Sequence, residues 1–197
     1  LGDVTGDGRV APYDASQTLR HWARLITLAP ELVGAADVSG DGLVAPFDAS
    51  LILQYWAQLI SCFPAESGCA GKTAAPGSGV LAWGPAHADQ LGDTRVSLEL
   101  TSVSGEARAL SVEVTLEEGQ TLSSLESHLP DDWQVVYNAA METRGTTLRI
   151  GMAGLTPVNA GTLLDLVVTN ASSAAAIDLV ASGAVNDTAV EPFRLGG

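Results

Sequence analysis

Acidic and hydroxyl side chains recur in one short pattern near the start of the chain. Residues 3–14 read DVTGDGRVAPYD and residues 37–48 read DVSGDGLVAPFD, so the second copy begins 34 residues after the first. Carboxylate, hydroxyl and carbonyl oxygens spaced around a glycine turn are the ligands that Ca²⁺ prefers in proteins. One isolated Asp-Gly pair is an ordinary turn, but two copies in repeat register indicate two calcium-binding loops.

The spacing assigns each ligand a position in its loop. In a twelve-residue calcium loop, side chains at positions 1, 3, 5 and 12 point inward, position 6 is a turning glycine, and position 7 offers its carbonyl. The predicted ligands of two Ca²⁺ ions are Asp3, Thr5, Asp7, Arg9 and Asp14 in loop 1, and Asp37, Ser39, Asp41, Leu43 and Asp48 in loop 2. Arg9 and Leu43 contribute only their carbonyls. The hydroxyls at position 3, and Asp in place of Glu at position 12, depart from the usual loop.

Each loop leads directly into a segment with helical periodicity. Proline is tolerated in the first turn of a helix, so Pro12 and Pro46 mark helix starts. We predict helices over residues 14–28 and 48–62, and a short helix or turn over residues 30–36. The apolar residues at helical spacing are Leu19, Trp22, Leu25 and Ile26 in the first helix, and Leu53, Trp56, Leu59 and Ile60 in the second. Neither helix can bury this face alone, so we expect the two units to share one small core that metal binding stabilises.

Residues 1–62 resemble a type I dockerin, a calcium-binding module that docks onto cohesins. The resemblance rests on the duplicated loop, the Asp at loop position 12 and the helix that follows each loop. It implies a small all-α domain of two paired F-hand units, and a protein partner that binds near the loop ends. The residues implied for that docking surface are Pro12, Tyr13, Arg20, Pro46, Phe47 and Gln54. Dockerins often carry a Ser/Thr pair where this chain has Pro-Tyr and Pro-Phe, so the identity of the partner does not carry over.

Composition divides the chain into two modules. Residues 65–79 read AESGCAGKTAAPGSG, which is typical of a linker. We therefore assign a calcium-binding helical domain to residues 1–64 and a second domain to residues 80–197. In the second domain apolar and polar residues alternate, for example over residues 96–100 and 110–116, which predicts antiparallel strands with one buried face.

The second domain has no helical periodicity between its strands. This pattern indicates an all-β sandwich of jelly-roll or immunoglobulin-like type. Residues 124–130 are predicted to form a helical turn or a loop across one end. The strand rhythm and the stretches 148–154 and 183–190 resemble a cohesin, which implies nine strands. A carbohydrate-binding sandwich is the alternative, although few aromatic residues are available for a sugar platform: Trp83, Trp133, Tyr137 and Phe193.

The charge of the chain restricts its partners. It carries 23 acidic and 9 basic residues, for a formal net charge of −14. Nucleic acids and anionic membranes attract clusters of Lys and Arg, so we expect neither as a partner. No apolar run approaches the roughly 20 residues of a membrane-spanning helix, so membrane insertion is not expected. We predict no enzymatic activity, because His21, His87 and His128 have no Ser, Cys or carboxylate companion at a meaningful sequence spacing.

Two cysteines and two sequons bear on the compartment. In an exported protein the spacing of Cys62 and Cys69 allows a small disulfide loop, and two free thiols are the alternative. Asn170 and Asn186 begin the sequons Asn-Ala-Ser and Asn-Asp-Thr, so they are candidate glycosylation sites. Together with the calcium loops, these features favour an extracellular or cell-surface protein.

A docking module and a candidate socket on one chain favour a non-catalytic, calcium-dependent docking and assembly protein. The two modules can pair within one chain or between chains. Pairing between chains is a head-to-tail contact, which generates filaments if it does not close a ring, and self-assembly of this kind is the main hypothesis. One alternative is a scaffold or anchor fragment that recruits enzymes to a cell surface or polysaccharide. Another is a carbohydrate-binding module with a docking tag.

Overall fold

The helices occupy the first part of the chain and the strands occupy the rest. The computed structural model of the protein describes residues 1–69, 77–88, 93–142, 145–170 and 179–195. The helices are α1 (Pro12–Trp22), α2 (Pro30–Ala36) and α3 (Pro46–Trp56). The strands are β1 (Ser78–Ala88), β2 (Asp93–Ser104), β3 (Ala107–Leu116), β4 (Gln120–Ser127), β5 (Gln134–Glu142), β6 (Gly145–Val158), β7 (Gly161–Asn170), β8 (Leu179–Val185) and β9 (Thr188–Leu195).

The two long helices begin at the prolines that mark their predicted starts, just ahead of the predicted ranges, but they end well before those ranges do. Each begins at its proline and ends after eleven residues, because Arg24 and Gln58 adopt left-handed backbone with φ of 60°. A left-handed residue just past the last turn ends a helix, and the amide of the next residue can then donate to a carbonyl in that last turn. The amide of Leu25 accordingly donates to the carbonyl of Arg20 at 2.9 Å. Leu25 and its repeat equivalent Leu59 therefore leave the predicted apolar face and are 44% and 57% exposed.

The helices are short in every case. In the stretches that the structure describes, none is long and apolar enough to cross a membrane.

The strands form the predicted two-sheet sandwich. Within the described residues, one sheet has the order β1-β2-β7-β4 and the other has the order β5-β6-β3-β8-β9, with antiparallel neighbours throughout. Successive side chains of a strand point to opposite faces, so alternate residues of each sheet reach the core between the sheets. The largest fully buried side chains there include Leu98, Leu100, Leu110, Leu116, Leu148, Ile150 and Met152.

One region of the sandwich differs from the prediction. Residues 124–130 were expected to form a helical turn or loop, but residues 120–127 form β4, an edge strand paired with β7. Its side chains are mostly exposed and polar, so the strand lacks the apolar alternation that a sequence pattern detects. The strand exists because its backbone completes the ladder with β7, which composition does not reveal.

The chain leaves the helical module through a cross-linked turn. Cys62 and Cys69 form a disulfide, as predicted. Between them, Phe63 stacks on Tyr55 with ring centroids 4.6 Å apart and lies against Gly2, where an added Cβ would sit 2.6 Å from the Phe63 ring. This packing joins the two ends of the helical module.

The helical module packs on the outer face of the five-stranded sheet. Helix α1 lies against β5 and β6, and α3 lies against β6 and β3. Val136, Ala153 and Leu155 of the sheet belong to the same apolar cluster as the helical core, which includes Leu19 and Ile52. The two modules thus share one continuous packed interface in addition to their covalent connection.

We predict that Leu19 contributes far more stability than Leu25, which lies six residues further along the chain and beyond the end of α1. Leu19 is fully buried, so Leu19→Ala should lower the free energy of unfolding by about 2–5 kcal/mol through lost burial and a residual cavity. Leu25→Ala should cost much less because that side chain is largely exposed. Urea unfolding in calcium, followed by circular dichroism, gives both values. Equal losses for the two variants would contradict this placement of α1.

Candidate calcium loops and docking interface

Loop 1 is held in shape by its own carboxylates. Asp3 accepts hydrogen bonds from the amides of Gly6 at 2.7 Å, Asp7 at 3.1 Å and Gly8 at 2.7 Å. Gly6 and Gly8 have φ of 75° and 85°, a left-handed backbone that glycine adopts without strain. The two predicted ligands Asp3 and Asp7 therefore lie in one tight turn, with Asp3 fixed by the turn itself.

The carboxylate at position 12 ties each loop to the helix that follows. In loop 1, Asp14 accepts from the amides of Val4 and Thr5 at 2.9 Å each and from Ala11 at 2.8 Å. In loop 2, Asp48 accepts from Ser39 at 2.9 Å and Ala45 at 2.8 Å. Because position 12 lies in the first turn of the helix, its short Asp side chain reaches back to both ends of the loop. A short Asp side chain is therefore long enough to link the loop to its helix at a position where calcium loops usually have Glu.

The donor set of the loops fits calcium in ligand type. The position-3 hydroxyls of Thr5 and Ser39 lie 3.4 Å from carboxylate oxygens of Asp3 and Asp37, so hydroxyl and carboxylate oxygens share each turn. Hard oxygen donors of this kind suit Ca²⁺. Across the described residues, no three acidic, histidine or cysteine side chains converge as a ready-made metal cluster. The carboxylates are oriented by backbone amides, and a bound ion would draw on their remaining lone pairs.

Loop 2 concentrates negative charge. The pKa of Asp48 is raised to about 6, mainly by burial; the hydrogen bonds from Ala45 and Ser39 oppose this shift, and the nearby carboxylate of Asp37 adds to it. In loop 1, burial would raise the pKa of Asp3, but the amides of Gly8, Gly6 and Asp7 outweigh that effect and lower it. A buried carboxylate beside like charges is stabilised by a cation, which is the electrostatic case for metal in loop 2.

The sandwich adds one more acid beside loop 2. Asp187 lies in the turn between β8 and β9, and its pKa is raised to about 7. The main cause is partial burial, followed by the negative charges of Asp48, Asp41 and Asp37. Part of the Asp187 side chain remains exposed, so solvent screens this repulsion. The acidic loop and the sandwich therefore repel each other at this point when no metal is bound.

The structure places the predicted docking residues unevenly. The carbonyl of Pro12 accepts a hydrogen bond from Gln134 of β5 at 3.1 Å, and Pro46 is buried. Phe47 packs against the helical core, whereas Tyr13 is 59% exposed. Gln54 donates to the carbonyl of Ser50 in its own helix at 3.2 Å, and Arg20 is half-buried on α1.

Sequence reasoning missed the sheet side of the interface. A Cβ at Gly151 of β6 would lie 3.0 and 3.2 Å from ring carbons of Trp22 and 3.4 Å from Leu19. Asn138 of β5 donates to the carbonyl of Ala23 at 2.9 Å. The available signal was Gly151 itself, because a glycine inside a strand often marks the close approach of another element.

The structure describes the side chain of one of the two sequon asparagines. The side chain of Asn186 is buried, and its amide makes four hydrogen bonds, with Arg108, Ala109, Gly77 and Glu106. A glycan on Asn186 would require these bonds to break. The sequon of Asn170 extends over residues 171–172, which lie outside the described residues.

A polar cluster on the four-stranded sheet brings His128 beside a carboxylate, contrary to expectation. Asp165 accepts from Ser97 at 2.6 Å and lies 3.1 Å from both His128 and Arg95. The Ser97 hydroxyl lowers the pKa of Asp165 most, followed by His128 and Arg95. In nucleophilic catalysis the imidazole lies between the hydroxyl and the acid. Here the acid lies between the other two, so the cluster is an ion-pair network that joins β2 and β7 to His128, just after β4.

The comparisons with known proteins concern both modules. Residues 1–56 match the family model described as the dockerin type I domain, which confirms the resemblance predicted for this region. No curated protein matches the chain.

Several solved structures are similar to the chain. One is a cohesin module from a family 33 glycoside hydrolase of Clostridium perfringens, 16% identical, covering 60% of this chain and 95% of that chain with a TM-score of 0.45. Another is the sixth cohesin of Acetivibrio cellulolyticus scaffoldin B, solved with a Cel5 dockerin, 14% identical over 59% of this chain and 96% of that chain with a TM-score of 0.40. A chitin-binding domain of a Pyrococcus furiosus chitinase is 19% identical over 58% of this chain and all of that chain, with a TM-score of 0.37.

We predict a distinctive pH dependence for the metal-free chain. Asp48 and Asp187 have raised pKa values of about 6 and about 7 in the folded protein. Both carboxyl groups therefore bind protons more tightly in the folded state than in the unfolded state. The stability that this difference contributes below pH 4 is lost as the pH rises through 6 to 7. In chelator, the melting temperature should fall between pH 5 and pH 8, and Asp187→Asn should reduce that fall.

Calcium and a matched variant are the controls for this prediction. Calcium should also reduce the fall, because it neutralises the loop. Asp131→Asn, in an exposed turn, should leave the profile of the parent unchanged. If the melting temperatures of the parent and of Asp187→Asn depend on pH in the same way in chelator, the repulsion between Asp187 and loop 2 is contradicted.

Proposed function

We propose that this chain is a non-catalytic, calcium-dependent docking protein of the extracellular space or cell surface. One observation carries the proposal: the helical module, which matches a dockerin, lies on the outer face of the five-stranded sheet. Leu19 and Trp22 of α1 lie over Gly151, and polar contacts from β5 flank them. The disulfide between Cys62 and Cys69 is consistent with an oxidising compartment.

Two calcium ions, one in each loop, would set the shape and charge of the docking module. Each loop places its acids beside the first turn of a docking helix, so loop geometry determines helix position. Without metal the clustered carboxylates repel one another and Asp187 of the sheet side. Calcium thus supports both the fold of the module and its approach to the sheet.

The same two surfaces can pair within one chain or between copies. A short tether gives the two modules an effective concentration in the millimolar range, so we propose a closed monomer at low concentration. Above that range, exchange of the helical module between chains produces a head-to-tail contact that can extend into filaments. A scaffold that recruits separate enzymes, or a polysaccharide-binding module with a docking tag, would use the same surfaces for another partner.

Removing the first ligand of each loop tests the metal. Asp3 and Asp37 each accept hydrogen bonds from the amides of their own loop, so Asp3→Ala with Asp37→Ala should destabilise residues 1–62 and abolish the rise in melting temperature on adding calcium. Asp131→Ala is the matched control and should keep that rise. A double variant that calcium still stabilises, to the same extent as the parent, would contradict calcium binding by these loops.

Blocking the docking surface tests the pairing. Gly151→Leu should clash with Trp22, open the chain and raise its radius of gyration in small-angle scattering. Gly34→Leu is the control, because nothing lies within 4 Å of a Cβ at Gly34. Light scattering in calcium should show the parent assembling as its concentration approaches the millimolar range, and Gly151→Leu should not assemble. Equal radii for the parent and Gly151→Leu would overturn closure, and a strict monomer at every concentration would overturn self-assembly.

A further inference from the structure

Two amide side chains on β5 hold the two ends of helix α1. The side-chain nitrogen of Gln134 donates to the carbonyl of Pro12 at 3.1 Å. The side-chain nitrogen of Asn138 donates to the carbonyl of Ala23 at 2.9 Å and, more weakly, to that of Arg24 at 3.4 Å. A carbonyl can only accept, so these contacts fix both amides with their NH₂ groups toward the helix.

The spacing of the two amides matches the length of the helix. Pro12 is the first residue of α1 and Ala23 is its C-cap, so the two carbonyls are separated by about 16 Å at 1.5 Å per residue. Gln134 and Asn138 lie four residues apart on the same face of β5, which spans about 13 Å at 3.3 Å per residue. The side chains of Gln134 and Asn138 are long enough to make up the difference between these two lengths.

The surface between the two amides is shaped for one aromatic ring. Val136 lies between them in sequence and pairs with Gly151 of β6. At Gly151 the sheet has no side chain, and the ring of Trp22 occupies that space with ring carbons 3.0 and 3.2 Å from the position of a Cβ. Any larger residue at position 151 would displace the ring or the helix.

We infer that Gln134 and Asn138 are the residues that select and position the docked helix, by binding main-chain carbonyls at both of its ends, while Gly151 admits its tryptophan. This inference rests on the proposed function. The sheet face then recognises a helix of three turns by its length and by a tryptophan in its last turn. The exposed side chains of the helix, among them Tyr13, are left free to vary. Between chains, the partner that fits is the helical module of a second copy.

Fluorotryptophan labelling of the full chain gives a direct readout. The chain has four tryptophans, and the ¹⁹F resonance of Trp22 can be assigned with Trp22→Phe. In calcium, the resonance of Trp22 should move to its solvent-exposed position at a lower urea concentration than that of core Trp133, as the helix leaves the sheet. Gln134→Ala with Asn138→Ala removes two hydrogen bonds of ordinary strength, so the ratio of open to closed chains should rise on the order of tenfold or more. The Trp22 midpoint should fall and the Trp133 midpoint should stay.

Two control variants separate the inference from simpler explanations. Asn159→Ala removes an amide from the exposed turn between β6 and β7 and should leave the Trp22 midpoint unchanged. Arg24→Asn shortens an exposed side chain at a left-handed position that Asn tolerates, and it too should leave the midpoint unchanged, because Asn138 binds main-chain atoms.

Three results would overturn parts of the scheme in distinguishable ways. A Trp22 midpoint unchanged in the double amide variant would overturn the inference and leave docking intact. A midpoint lowered as much by Arg24→Asn would overturn recognition through the main chain. A Trp22 resonance already at its solvent-exposed position in the parent, without urea, would overturn closure itself and hence the proposed function.

Discussion

The carboxylate at the twelfth position of each loop is the contact on which the rest of the arrangement depends. Asp14 and Asp48 are buried, and each accepts backbone amides from the start of its loop and from the residue just before its helix. This geometry fixes the direction in which α1 and α3 leave their loops. Since both helices must reach the same sheet, a change of loop shape would move the docking surface as a whole.

The sequence predicts the chemistry of the loops better than it predicts the interface. Carboxylates at fixed spacing around glycine are a local signal, and so are the alternating strands of the sandwich. Helix ends were misplaced because Arg24 and Gln58 take a left-handed conformation that favours glycine or asparagine, so no residue type marks the stop. The contact of Trp22 with Gly151 joins residues more than a hundred positions apart, and only the packed fold brings them together.

The interface balances apolar packing against charge. Val136, Ala153 and Leu155 of the sheet contact the helical core, and burying such side chains is worth about 1.5–3 kcal/mol for each large one. Opposed to this is the acidic loop beside Asp187, in a chain that carries a net charge of −14. Packing is insensitive to calcium, whereas the charge term is not. Metal bound in loop 2 would therefore act on the charge term and leave the packing term unchanged.

The disulfide in the exit turn has a further effect on how far the modules can separate. Cys62 and Cys69 have Cα atoms 5.8 Å apart, although the seven peptide units between them could extend to about 24 Å. The cross-link thus shortens the maximum span of the tether by roughly 18 Å. In a reducing environment the tether between the two modules would be longer, so the local concentration of one module around the other would be lower. Contacts with other molecules would then compete more effectively with contacts inside the chain.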